Sequence, residues 1–212
     1  MARGRFISVE GGEGAGKSTN IDGVRARLEA AGLRVVVTRE PGGTPLAEEI
    51  RRLLLAPRDE SVCEDTEVLL VFAARMQHVE RVIKPALARG DWVISDRFTD
   101  ATVAYQGAGR RMGVERIQAL RTLLLGDFAP DLTLLLDLPV DRGMERLAGR
   151  GTPDRFERED RAFFDRVRAA YLQLARAEPG RFRVVDAAAP LPAVQAAVAQ
   201  AVDGFLLQSA GP

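Results

Sequence analysis

Eight residues near the start of the chain, Gly11-Gly12-Glu13-Gly14-Ala15-Gly16-Lys17-Ser18, fit the pattern G-x-x-x-x-G-K-[ST] without a mismatch. They follow an apolar run, Phe6 to Val9, and precede a helix-like stretch, Lys17 to Ala31. That order constrains the fold, because this loop works where a strand turns into a helix. Its glycines let successive N–H groups point into one anion-sized hollow, and the helix adds the positive end of its dipole. An ordinary glycine-rich turn is the competing reading, and the flanking elements weigh against it. Read as a phosphate loop, Gly11 through Thr19 cradles a nucleoside triphosphate, Lys17 reaches the β- and γ-phosphates, and Ser18 holds Mg²⁺.

Five short apolar runs read as buried parallel strands: Phe6 to Val9, Arg34 to Thr38, Trp92 to Ser95, Leu132 to Asp137 and Phe182 to Asp186. Each is close to continuously hydrophobic, which is how strands look when helices cover both faces. Helix-like stretches lie between them: Pro45 to Leu55, Thr66 to Arg89, Val114 to Leu125, Val140 to Ala148, Asp160 to Ala177 and Pro190 to Leu207. The alternation predicts an α/β fold, a five-stranded parallel sheet flanked by helices. Thr44-Pro45 starts one helix, Gly32 and Gly90 can close two others, and Pro85 should kink the long central one. Ligands gather beyond the carboxyl ends of such strands, so the residues after Val9, Thr38, Ser95 and Asp137 become the shortlist.

At 212 residues one domain, 1–212, is expected. Thirty basic and thirty acidic residues cancel, so the chain has no general attraction for nucleic acid or membrane and must meet an anion with locally clustered arginines. Cys63 is alone, which excludes an intrachain disulfide and fits a reducing compartment. No apolar stretch has the length of a signal peptide core at the N-terminus or of a membrane span elsewhere, and a cytoplasmic location is expected.

Four further constellations carry chemistry. Arg39-Glu40-Pro41-Gly42-Gly43-Thr44 begins with an arginine at the ligand edge, suited to a second anionic group or to a plain strand-to-helix turn. Asp96-Arg97 follows the third strand; the aspartate can orient Mg²⁺ and the arginine bridge two phosphates, or the two form a surface ion pair. Phe72 and Arg75 share a helix face, where a ring can stack on a base and a guanidinium bond its exocyclic oxygen; core packing is the alternative for the ring. The segment from Leu147 to Arg158 is a glycine-flanked loop bearing Arg150 and Arg155. It could close over the triphosphate and exclude water, or remain a solvated loop. His78, the only histidine, reads as a packing or surface residue.

Taken in order, Glu10-Gly11-Gly12-Glu13-Gly14-Ala15-Gly16-Lys17-Ser18-Thr19, Thr38-Arg39-Glu40-Pro41-Gly42-Gly43-Thr44, Asp96-Arg97-Phe98 and Ala104-Tyr105-Gln106-Gly107 resemble the thymidylate kinases. These belong to the nucleoside monophosphate kinase branch of the P-loop NTPase fold. The resemblance implies transfer of the γ-phosphoryl group of ATP to dTMP with Mg²⁺, in dTTP biosynthesis, and a homodimer joined through helices. The apolar helix around Val68 to Val82 is a candidate dimer surface, unless it is buried within one subunit. It implies that Glu13 meets the 3′-hydroxyl side of dTMP, Arg39 its phosphate, and Arg97 the space between acceptor and donor. Phe72 would stack on thymine, Arg75 reach its O4, Thr102 and Gln106 lie near the base, and Tyr105 pack against the sugar. Gly14 stands where some relatives carry a basic residue, so the chain resembles the variant whose catalytic arginine comes from a lid at about 147–158. Arg150 is first choice there, with Arg155, Arg146 and Arg158 close enough to compete. Phe98 departs from the tyrosine or histidine of many relatives. A kinase for another nucleoside monophosphate is the nearest alternative. A GTP-binding switch is further off, because the chain has no Asn-Lys-x-Asp motif.

Overall fold

The computed structural model describes residues 3–148 and 154–209. Five strands, β1 (Phe6–Glu10), β2 (Val35–Arg39), β3 (Trp92–Asp96), β4 (Leu132–Asp137) and β5 (Phe182–Asp186), form one parallel sheet in the order β2-β3-β1-β4-β5. The five expected strands are thus all present, each within a residue of its predicted bounds.

Strand alternation divides the core. Ile7, Val9, Leu132, Leu134 and Leu136 meet α1 (Lys17–Ala30) and α9 (Leu191–Ser209) through Val24, Leu28, Val194 and Val198. The opposite face is covered by α3 (Glu64–His78), α4 (Lys84–Ala88), α5 (Thr99–Thr102) and α8 (Arg161–Ala177). Against α3 lies α2 (Pro45–Leu55), packed through Ala47, Ile50 and Leu54. The remaining helices are α6 (Val114–Leu125) and α7 (Val140–Leu147). Both faces are covered, which accounts for the nearly unbroken apolar character of β1, β3 and β4.

Local boundaries follow the residues expected to make them. Thr44 Oγ1 accepts from the Ala47 amide at 3.1 Å and Pro45 takes the first helical position of α2. The central helix is continuous but changes gait. Between α3 and α4 a π-helical turn, Val79–Ile83, precedes Pro85, and the Lys84 amide bonds back to Val79. A proline cannot donate to the carbonyl four residues earlier, and a widened turn is one way a helix passes it. A second π-helical turn, Val103–Gly109, extends α5. All of this segment but Ala108 is buried, packed on α8 and α6, and the sequence reading placed no helix there.

Candidate active site

The phosphate loop leaves the carboxyl end of the central strand β1 and enters α1 at Lys17. Among the described residues no side chain caps α1, so the amides of its first turn are left to an incoming anion. Lys17 Nζ donates to the Gly11 and Gly12 carbonyls at 3.3 and 3.2 Å. Burial and the nearby Arg97 guanidinium lower its pKa, against the pull of Glu13, Asp96 and Glu10. The loop is walled by α7. A Cβ on Gly14, itself at φ 70°, would lie 2.6 Å from the Gly143 carbonyl oxygen, and one on Gly143 would lie 2.5 Å from that of Glu13. A basic side chain at position 14 therefore has no room. Arg146 of α7 donates to the Gly14 and Ala187 carbonyls, both at 3.1 Å.

Two glutamates three residues apart sit in opposite environments. Glu13 Oε1 accepts from Arg97 Nη2 at 2.5 Å and from the Tyr105 hydroxyl at 2.8 Å. Burial favours its neutral form, but Arg97, Lys17 and the tyrosine outweigh it and bring the pKa to about 2. Glu10 accepts from the Phe98 amide at 2.7 Å and the Tyr171 hydroxyl at 2.8 Å. Burial, reinforced by Asp100, pushes its pKa up to about 8 despite Arg97 and these two bonds. Arg97 has φ 69°, a left-handed conformation unusual for a residue with a side chain. The turn is held from both sides: Ser95 Oγ donates to the Arg97 carbonyl at 2.7 Å, and Glu10 takes the next amide. The Arg97 side chain is thereby laid along the loop, with Nη1 donating to the Gly11 carbonyl at 3.0 Å.

A cavity opens beside the loop. Of the residues expected at an acceptor site, Glu13, Arg75, Arg97, Thr102, Tyr105 and Gln106 line it. Phe72 and Arg39 do not. The anticipated stacking ring falls one position out: Val71 lines the cavity, whereas Phe72 is turned into the core beside Val68 and Ala104 and underlies the Arg75 guanidinium at 5.1 Å. Phe98 also borders the cavity, but its ring is fully buried against Phe6 and Phe128, 5.4 Å from that guanidinium. Arg39 is half-exposed and paired with Glu48 Oε2 at 2.8 Å. Its place in the cavity is taken by Arg51, which donates to the Pro41 carbonyl at 2.9 Å. Burial, with Arg39 and Arg97 nearby, lowers the Arg51 pKa, the signature of a cation held among cations. Sequence reasoning missed Arg51. One signal was legible: it lies four residues after Ala47 and three before Leu54, on the buried stripe of α2.

Arg75 is fully buried. Its Nε donates to Glu40 Oε2 at 2.6 Å and its Nη2 to the Phe98 carbonyl at 3.1 Å, while Nη1 has no partner among the described residues. His78 is likewise buried, with hydrogen bonds to both Glu40 and Thr38. The surface alternative for this histidine is set aside.

Arg150 lies outside the described residues. Arg155 binds Glu67 Oε2 at 2.6 Å and the Leu54 carbonyl at 2.8 Å, fastening its part of the expected lid segment to α2 and α3. Glu67 also takes Gln106 at 2.8 Å and Arg110 at 3.3 Å. Ser18 and Asp96 line a common groove with Arg39 and Glu48. Asp96 Oδ1 is buried without a hydrogen-bond partner among the described residues, as a carboxylate oxygen kept for a hydrated cation would be.

The chain matches the family model described as thymidylate kinase over residues 9–198. It is 61% identical over 206 residues to a thymidylate kinase of Pseudomonas putida (strain W619), covering 97% of this chain and 100% of that one. It is 63% identical over 193 residues to one from Pseudomonas syringae pv. syringae (strain B728a), covering 91% and 92%. A thymidylate kinase of Methylococcus capsulatus (strain Bath) is 58% identical over 206 residues, covering 97% and 98%. With the phosphate loop on the central strand and the arginine-lined cavity beside it, the chain belongs to the thymidylate kinase family.

Proposed function

We propose that this chain catalyses the reversible transfer of the γ-phosphoryl group of ATP to the 5′-phosphate of dTMP, giving dTDP and ADP for dTTP biosynthesis. One observation carries the reading beyond a generic nucleotide site. The cavity beside the phosphate loop contains both paired cations suited to a phosphate, Arg51 and Arg97, and a buried guanidinium with an unused donor, Arg75 Nη1. A monophosphate satisfies the first pair and a base carbonyl the second. Tyr105 and Glu13 are joined at 2.8 Å and flank the position of a sugar.

The acceptor is already an anion, so the chief barrier to bringing the substrates together is repulsion between phosphates. Lys17 and the loop amides receive the donor, Arg51 and Arg97 receive the acceptor, and Arg97 stands between the two groups. Ser18 and Asp96 would hold Mg²⁺, which would supply neutralisation of the donor's charge. The lid, about 147–158 within the single domain, closes to exclude water, with Arg150 as the first choice to meet charge on the transferring group. Arg155 can take that role only after leaving Glu67.

We further propose a homodimer in the cytoplasm, with no nucleic-acid or membrane partner. Among the described residues no helix is long and apolar enough to cross a membrane. Of the long helix, Val68 and Val71 are buried and Leu69 is 58% exposed, facing the same groove as Leu123, 79% exposed, on α6. Leu123→Glu should shift the enzyme toward monomer in light scattering; a monomeric parent would refute the assembly. The activity is tested by coupled ADP release with dTMP, CMP, GMP and AMP. Preference for dTMP is expected, and preference for a purine overturns the substrate assignment.

A further inference from the structure

Behind the cavity a line of polar groups runs from the partly buried Thr38 of β2 to the buried Arg75. Thr38 Oγ1 lies 2.6 Å from His78 Nε2, His78 Nδ1 lies 2.9 Å from Glu40 Oε1, and Glu40 Oε2 takes Arg75 Nε at 2.6 Å. His78, Arg75 and Glu40 are all at most 3% exposed. A carboxylate oxygen accepts, so Nδ1 donates toward Glu40 while Nε2 is hydrogen-bonded to the threonine hydroxyl. The turn after β2 is laid against the imidazole: a Cβ on Gly43 would fall 2.4 Å from His78 Cδ2. The ring is boxed in, and both of its nitrogens are engaged.

We propose that His78 is a specificity-determining positioning residue, which by occupying Glu40 Oε1 holds Arg75 so that its free Nη1 meets a carbonyl on the base and rejects an amino group there. The inference rests on reading the cavity as a thymine nucleotide site. Guanidinium has donors only, so it donates to thymine's 4-carbonyl and finds no acceptor in cytosine's 4-amino group. That discrimination holds only while the guanidinium keeps its orientation. Carboxylates tend to fork arginine through both oxygens. Without His78, Glu40 Oε1 is free to join Oε2 on the guanidinium, competing with the Phe98 carbonyl for Nη2 and drawing Nη1 off its line. Phe72 and Phe98 confine Arg75 from its faces, at 5.1 and 5.4 Å, but neither fixes its rotation about the ring normal. His78 supplies that constraint.

The test is the ratio of kcat/KM for dTMP to that for dCMP. His78→Leu should lower the ratio by about tenfold, the scale of a lost hydrogen bond to a buried charged group. His78→Asn, whose amide nitrogen stands near the place of Nδ1, should restore most of it. Thr38→Val leaves the histidine in place without its second partner and should lower the ratio by about threefold; it carries the test if His78→Leu does not fold. A purely structural role would lower both substrates alike, so an unchanged ratio in His78→Leu, or in Thr38→Val where only that variant folds, overturns the proposal. A parent enzyme with no preference for dTMP over dCMP overturns the thymine reading itself, before any variant is compared.

Discussion

On the acceptor side of the phosphate loop, polar groups are already paired with one another: Glu13 with Arg97 and Tyr105, Gln106 with Glu67, Arg75 with Glu40. On the donor side the amides of α1 are uncapped and Lys17 rests on carbonyls of its own loop. The proposed acceptor site is thus built into the buried core, whereas the proposed donor site takes its partners from the ligand. Preorganisation favours selectivity on one side, and an open cradle suits a donor that many enzymes share. Changes on the donor side should therefore cost turnover and leave the fold intact, while changes on the acceptor side should alter substrate affinity, selectivity or stability.

The largest effect should come from Lys17→Ala. Turnover should fall on the order of 10²–10³-fold with an unchanged melting temperature; near-normal turnover would undo the mechanism, and a large loss of stability would break the contrast. Next is Arg51→Ala, which should raise KM for dTMP by about 10–100-fold and leave KM for ATP near its parent value. Arg39→Ala sharpens this point, because an equal effect there would return the phosphate to Arg39. Third is Gly14→Ala, which marks where the contrast stops, because this loop residue is itself packed on α7: the added Cβ meets that backbone and should destabilise by about 1–3 kcal/mol in urea unfolding.

The last predictions concern the two glutamates. Between about pH 4.5 and 8 an unfolded chain has lost the Glu10 proton that the folded chain keeps, so this residue makes stability fall as pH rises through that window. Glu13 acts lower and oppositely. Between about pH 2 and 4.5 the folded chain has released a proton that the unfolded chain holds, so its contribution grows with pH and is complete above that range. Melting temperature against pH should flatten in the upper window for Glu10→Gln and in the lower one for Glu13→Gln. Slopes that change in the same window for both would show that the two environments are not distinct.

Strands were legible in the sequence because burial on both faces removes polar alternation, and the loop because its chemistry needs one local spacing. The helical segment from Thr99 to Gly109 was not, since its glycines and lack of apolar periodicity hide a helix imposed by packing on α8. The placement of Phe72 shows another limit. Spacing says which residues share a helix face, but not which face meets the ligand, and one residue is a rotation of about 100°. Arg39 shows the same for strand ends. Its position at the sheet edge was read correctly, yet Arg51 reaches the cavity from a helix whose lean depends on the whole α2–α3 packing. His78 was legible as buried or exposed only, because its partners Thr38 and Glu40 lie some forty residues away.

The contact between Gly14 and Gly143 bears on how enzymes of this kind can diverge. Two backbones meet there with no space for even a methyl group, so position 14 cannot take an arginine by a single codon change. Helix α7 would first have to withdraw, taking with it the Arg146 bonds that tie the loop to Ala187. Intermediates on such a route would have lost one layout before gaining the other. The seam acts as an evolutionary ratchet, and engineering any basic side chain at position 14 must begin with the helix.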